Sequence, residues 1–156
     1  MKRTSHQQRR VAAGEQRGGN RVPAIVTAVV VLVGLIIGGK ILLAPKPINA
    51  GDPAEVQFEQ ALAQKRVIYA LYHSTTCIPC KEMERVAADV MPEFAGKVTF
   101  VDVNVYDQNN LNLLRREMVR VIPTNIIYDR QGQSRRYEGV LTRDGLRAEL
   151  QAALSR

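Results

Sequence analysis

The segment Thr76-Cys77-Ile78-Pro79-Cys80-Lys81 contains both cysteines of the chain, separated by two residues. An apolar run from Val67 to Tyr72 leads into it, and a helical pattern from Lys81 to Ala88 leads out. Thiol–disulfide exchange needs an accessible thiolate and a second thiol close enough to resolve a mixed disulfide. A cysteine at a helix start meets the first need, because unpaired amide N–H groups and the helix dipole favour the anion. Cys77 is therefore the candidate nucleophile. Cys80, one turn further and expected to be more buried, is the candidate resolving thiol. Pro79 is tolerated early in a helix, where its missing N–H costs no hydrogen bond, and it stiffens the ring that the two sulfurs close. Ile78 puts an apolar side chain beside Cys77, where a substrate would make contact.

Other uses of two cysteines fit less well. A tetrahedral zinc site needs four ligands, and the cysteine-bearing part of the chain adds only His73, since His6 belongs to the N-terminal tail. Covalent haem attachment needs a histidine after the second cysteine, where the chain has Lys81. A purely structural disulfide at this spacing closes too small a loop to stabilise much. No metal and no organic cofactor is expected. His73, four residues before Cys77, reads either as a partly buried strand-end residue or as a group that tunes Cys77. Lys81 is a second tuning candidate. Asp102 reads as a polar strand residue rather than a catalyst.

The elements that must position this pair follow in order. Asp52-Pro53-Ala54-Glu55 reads as a helix start, with Asp52 as cap, Pro53 in the first turn and Glu55 completing a capping box. Val56, Phe58, Ala61 and Leu62 supply its apolar positions. Val67–Tyr72 is almost continuously apolar and reads as a central strand covered on both faces. The helix after the cysteines carries Met83, Val86, Ala87 and Val90 on one face, and Pro92 bends or ends it. Val98–Val105 is a second strand. Residues 109–119 form a helix with Leu111, Leu114 and Met118 inward. Thr124–Tyr128 is a third strand, and Asp129–Gln133 turns into a hairpin partner, Ser134–Val140. Thr142 caps a last helix with the stripe Leu146, Leu150, Leu154. Strands joined through helices imply parallel pairing and the late hairpin implies antiparallel pairing. The expected fold class is α/β, a mixed sheet sandwiched by helices.

The charge is uneven along the chain. The formal net charge is +7. Six basic residues and one acid precede residue 22, whereas Asp52 to Arg156 carries 14 basic and 14 acidic residues. The high pI thus describes a basic tail, and nucleic-acid binding is not expected of the folded domain. From Ala24 to Ala44 the chain is apolar apart from Lys40 and Thr27, long enough to cross a bilayer as a helix. The basic flank places the N-terminus in the cytoplasm and the rest outside. Cleavage after Ile48-Asn49-Ala50 is the alternative, and it too exports the domain. The expected organisation is a basic cytoplasmic tail over 1–21, a transmembrane anchor over 22–44, a Pro-stiffened linker over 45–51 and a folded domain over 52–156.

This order of elements, with Cys-x-x-Cys after the first strand and Val121-Ile122-Pro123-Thr124 before the third, resembles the thioredoxin family. Gly139, in the last expected strand, sits where the family has a glycine. The form Cys77-x-x-Cys80-Lys81-x-Met83-Glu84 is similar to the thioredoxin-like domains of membrane-associated disulfide reductases. The resemblance implies a three-layer α/β/α thioredoxin-like fold behind one transmembrane helix. It implies a cis peptide at Pro123, which would pack beside the sulfurs, and a backbone at Ile122 that pairs with substrate. It also implies protein disulfide or dithiol substrates, a membrane or soluble partner that recharges the site, and a part in cell redox homeostasis. Leu71 stands where the family has a buried aspartate, His73 replaces a family aromatic, and the chain has no tryptophan. The Ile-Pro dipeptide lacks the histidine of the strongly oxidising members, which points to a reductase. A reading of another class is a redox-inactive or copper-binding module using Cys77, Cys80 and His73, since thiolates and imidazole suit Cu(I).

Overall fold

The computed structural model describes residues 25–34 and 47–156. The chain divides into two compact units, Met1–Ala44 and Pro45–Arg156. In the first, residues 25–34 are helical with exposed side chains. Among the described residues no helix is long and apolar enough to cross a membrane. Most of the expected anchor over 22–44, the basic tail over 1–21 and His6 lie outside the described residues.

The second unit is built on a four-stranded sheet with the order β2-β1-β3-β4. Strand β1, Val67–His73, is buried along its whole length, as an uninterrupted apolar run requires. It pairs in parallel with β2, Val98–Asn104, in the register Val67↔Val98 to His73↔Asn104. On its other side it pairs antiparallel with β3, Thr124–Tyr128. Strand β3 in turn pairs antiparallel with β4, Ser134–Glu138. Parallel pairing therefore stops at β1–β2, because β3 enters from the opposite end of the sheet despite the helix before it. β2 and β4 are the two edges, and β4 carries Arg135 and Arg136, which oppose pairing with another chain.

Helices cover both faces. Helix α1, Ala54–Ala63, and Leu113 of the short α3, Leu111–Arg116, pack with Ile68, Ala70 and Tyr72. Helix α2, Ile78–Val90, and α4, Arg143–Ser155, pack with Val67, Tyr69 and Leu71. Adjacent residues of β1 thus feed opposite layers, which gives the expected three-layer sandwich. Each fully buried large side chain in these layers stabilises the fold by about 1.5–3 kcal/mol. The helix after the cysteines buries Met83, Val86, Ala87 and Val90 as expected, and a 3₁₀ turn containing Pro92 follows it.

Several details depart from expectation. Pro53 occupies the cap of α1, with no side-chain cap bond, in place of Asp52. Phe58 and Ala61 are buried, but Val56 and Leu62 are exposed. The expected helix over 109–119 shortens to α3, behind a 3₁₀ turn at Gln108–Asn110. Met118 has φ 48°, a left-handed backbone that ends the helix. The inward phase moves accordingly: Leu113 is fully buried, Leu114 packs partly against the core, and Leu111 and Met118 face outward. On α4, Leu146, Leu150 and Ala153 are buried and Leu154 is partly buried against them. Thr142 caps α4 by accepting the Gly145 N–H at 3.0 Å. Gly139 lies just past β4 with φ 88°, a conformation for which glycine has no steric penalty.

Candidate active site

Strand β1 ends at His73, and the chain turns through Ser74, Thr75 and Thr76 into α2. The Cys77 N–H donates to the Ser74 carbonyl at 3.3 Å, so the turn is closed on itself. Cys77 then occupies the N-cap of α2, with extended backbone, and its sulfur accepts the N–H of Cys80 at 3.3 Å. The two cysteines are joined as a disulfide with Cα atoms 5.2 Å apart. Their environments differ. Cys77 is half-buried, whereas Cys80 is wholly buried against the core. A nucleophile must be reached by a substrate sulfur, so this difference assigns attack to Cys77 and resolution to Cys80. Ile78 is 82% exposed, an apolar side chain facing solvent beside the reactive sulfur. Pro79 and Lys81 are also exposed.

The second expected motif comes to the same end of the sheet. Tyr72 pairs with Thr124, so Pro123, immediately before β3, is level with the end of β1. The Ile122–Pro123 peptide is cis. Pro123 is buried and Ile122 is half-buried. The Thr124 hydroxyl donates to the Val121 carbonyl at 2.7 Å, and the Gly139 N–H donates to the Pro123 carbonyl at 2.8 Å. The loop is therefore braced from both β3 and the end of β4.

His73 sits elsewhere than a shared metal site with the cysteines would need. Its Nδ1 lies 2.6 Å from Glu84 Oε1 and its Nε2 lies 2.5 Å from Asp102 Oδ1. Neither contact has ideal hydrogen-bond geometry, but each sets a ring nitrogen directly against a carboxylate oxygen. Both ring nitrogens face carboxylates and both sulfurs are bonded to each other. The copper set of Cys77, Cys80 and His73 is therefore not assembled. Among the described residues no group of three or more His, Cys, Asp or Glu side chains could hold a metal ion.

Comparison with known proteins decides the family. The sequence model of the thioredoxin family matches residues 52–152. The chain belongs to the thioredoxin family. Among solved structures, chloroplastic thioredoxin z superposes with a TM-score of 0.57 at 23% identity, covering 65% of this chain and 90% of that one. At that identity the likeness speaks to the fold alone. No curated protein matches the chain in sequence.

In this thioredoxin domain, Leu71 is fully buried at the position of the family's aspartate, and the ionisable groups lie around His73 instead. Glu84 lies one helical turn beyond Cys80 on α2, and Asp102 pairs in register with Leu71 on the neighbouring strand. By sequence, Glu84 stands out only within the Cys-x-x-Cys-Lys-x-Met-Glu form, without a role of its own, and Asp102 reads as a polar strand residue. The available signal was spacing: positions i and i+4 of a helix share a face, and a strand-end histidine shares a sheet face with residues two apart.

Short polar contact with Asp102 raises the His73 pKa above its ordinary value; burial opposes this, and the charges of Asp102 and Glu84 add to the rise. A folded-state pKa above the unfolded one of about 6.5 means the imidazolium stabilises the fold. That contribution is complete below about pH 6.5 and is lost as pH rises through the folded pKa. Urea midpoints taken from pH 5 to 9 are expected to fall across this alkaline-going window in the wild type. In His73→Gln the fall across that window disappears.

Proposed function

We propose that this chain is a membrane-anchored thiol–disulfide oxidoreductase that acts outside the cytoplasm on protein disulfides, in the reducing direction. One observation carries the chemistry: in a thioredoxin domain, a half-exposed Cys77 at the N-cap of α2 is joined to a fully buried Cys80. In each cycle the Cys77 thiolate attacks a substrate sulfur and releases the other substrate sulfur as a thiolate that takes up a proton. Cys80, losing its proton, then attacks Cys77, which closes the Cys77–Cys80 bond and frees the second substrate thiol. Two electrons pass to the substrate, and a donor dithiol, from a membrane or soluble partner, returns them to the site.

Anchoring and export rest on the apolar stretch from Ala24 to Ala44 and its basic flank. The reducing direction rests on the Ile78-Pro79 dipeptide. Ile78, Pro79, Ile122 and Pro123 are the surface offered to substrate. The test uses full-length protein in detergent, with dithiothreitol as donor and insulin as substrate. Insulin reduction is expected, with a dithiol potential near −270 mV, roughly that of thioredoxin. A potential near −120 mV, about that of a strong oxidant, would reverse the direction. No exchange with any donor would end the oxidoreductase reading. Protease added outside intact cells or spheroplasts is expected to remove the domain, and full protection there would end the export reading.

A further inference from the structure

We propose that His73, clamped between Glu84 and Asp102, is the positioning residue through which pH sets the reactivity of the Cys77–Cys80 pair, a role that rests on the oxidoreductase reading above. The clamp ties together three elements at the reactive end of the sheet. His73 closes β1, Glu84 belongs to α2, and Asp102 belongs to β2. Glu84 follows Cys80 by four residues, and side chains at that spacing lie about 5–6 Å apart at Cβ on one helix face. The turn from His73 to Cys77 is closed by the Cys77 N–H on Ser74. The imidazole thus contacts a residue one helical turn beyond Cys80 and precedes Cys77 by four residues in the chain.

The cluster is buried yet open to protons. The His73 side chain is 8% exposed, but those of Glu84 and Asp102 are 39% and 59% exposed. A cavity of about 310 Å³ borders His73, Glu84 and Asp102 on the side of Met91 and Phe100. A second, of about 500 Å³, borders His73 and Asp102 on the side of Thr75 and Asn104. That second cavity adds two carboxylates, Asp52 ahead of α1 and Asp107 after β2. The titratable groups in contact with His73 are Glu84 from α2 and Asp102 from β2, and Asp52 and Asp107 line the same second cavity. All are acids, so the imidazolium is the positive charge among them.

The direction of the coupling follows from the charge of the clamp. With His73 protonated, the histidine and its two contacting carboxylates sum to one negative charge; with His73 neutral, to two. The more negative state disfavours a thiolate at the adjacent helix start. Loss of the His73 proton therefore raises the pH at which the dithiol ionises. Reciprocally, a thiolate holds the His73 proton more tightly. His73 transfers nothing to the substrate: the dithiol supplies both electrons, and the imidazole sets only the thiolate fraction.

Two measurements on the full-length protein test this without relying on turnover. The first is the NMR titration of the His73 ring in the disulfide and dithiol forms, with His6 as the other histidine of the chain. The midpoint is expected to lie higher in the dithiol form. The second is the rate of iodoacetamide alkylation of Cys77 against pH. His73→Gln keeps both carboxylates and removes the cation, so its profile is expected at higher pH, roughly threefold or more slower at pH 7. Glu84→Gln removes a negative charge and leaves Asp102 to hold the imidazolium, so its profile is expected at lower pH. The Glu84 side chain is 39% exposed, enough for that variant to fold even where His73→Gln does not. Simple loss of packing would not move the two variants in opposite directions. Coincident His73 titrations in the two redox forms overturn the proposal, and so do variant profiles that stay fixed or move together. Redox-dependent titration of His73 in a protein that never reduces insulin overturns the oxidoreductase reading instead.

Discussion

Serine at position 77 is expected to abolish insulin reduction, a loss on the order of a thousandfold or more. The cause is specific to this sulfur. Cys77 is the more accessible of the pair and caps α2, where its sulfur already accepts the Cys80 N–H. A hydroxyl at that cap keeps the helix start intact but supplies no thiolate. Cys80→Ser behaves differently. Its exposed Cys77 still attacks, but nothing resolves the mixed disulfide, so a covalent adduct with substrate accumulates to one equivalent and turnover stops. Non-reducing gel electrophoresis of the two variants against a disulfide-containing substrate separates the roles. Adduct formation by Cys77→Ser, with none by Cys80→Ser, would exchange the two assignments. Equal activity of Cys77→Ser and wild type would remove the pair from the mechanism altogether.

The legible part of this protein is the part written in apolar spacing. The run Val67–Tyr72 could only be a strand covered on both faces, and all seven residues of β1 are buried. The stripe Met83, Val86, Ala87, Val90 fixes which face of α2 meets the sheet, and with it the inward position of Cys80, one turn before Glu84. Short elements were less legible. One left-handed residue, Met118, ends α3 after six residues, and no apolar pattern over 109–119 reveals a backbone torsion. Pairing direction was legible for β1 and β2 but not for β3, because a short helix between strands does not fix which end of the sheet the chain re-enters. The charged part of the site was least legible. Glu84 and Asp102 are ordinary exposed acids by sequence, and only the parallel register of β1 on β2 brings Asp102 to a histidine that α2 also reaches. Burial of Leu71 shows why: the position nearest the core stays apolar, and ionisable groups gather at the rim, where water limits the cost of charge.

Asn125→Ala is expected to have the largest effect on stability of any single polar change in the domain, about 3 kcal/mol. Asn125 is fully buried on β3, between Leu71 of β1 and Tyr137 of β4. An amide there is tolerated only because both its ends are used. Its Oδ1 accepts the Tyr69 hydroxyl at 2.8 Å, and its Nδ2 donates to the Gly139 carbonyl at 2.9 Å. Burial, then the charge of Asp102, holds the Tyr69 hydroxyl protonated far above its ordinary range, so it remains a donor throughout the accessible pH range. Alanine leaves the buried Tyr69 donor and the half-buried Gly139 carbonyl without their partner and opens a small void as well. For a domain of about 100 residues, each kcal/mol shifts Tm by roughly 4–8 °C, so a fall of at least about 12 °C is expected. Tyr69→Phe removes one end of the same chain and is expected to cost about 1–2 kcal/mol. The double variant should be less damaging than the two losses added, because the partners share one network. The effect also reaches the end of the sheet where β1 runs out: Gly139 donates to Pro123, so the Pro123 loop at that end loosens when Asn125 no longer holds the Gly139 carbonyl. Strictly additive losses, or a loss under about 1 kcal/mol for Asn125→Ala, a range usual for surface changes, would show that the amide is not the link between the core and that loop.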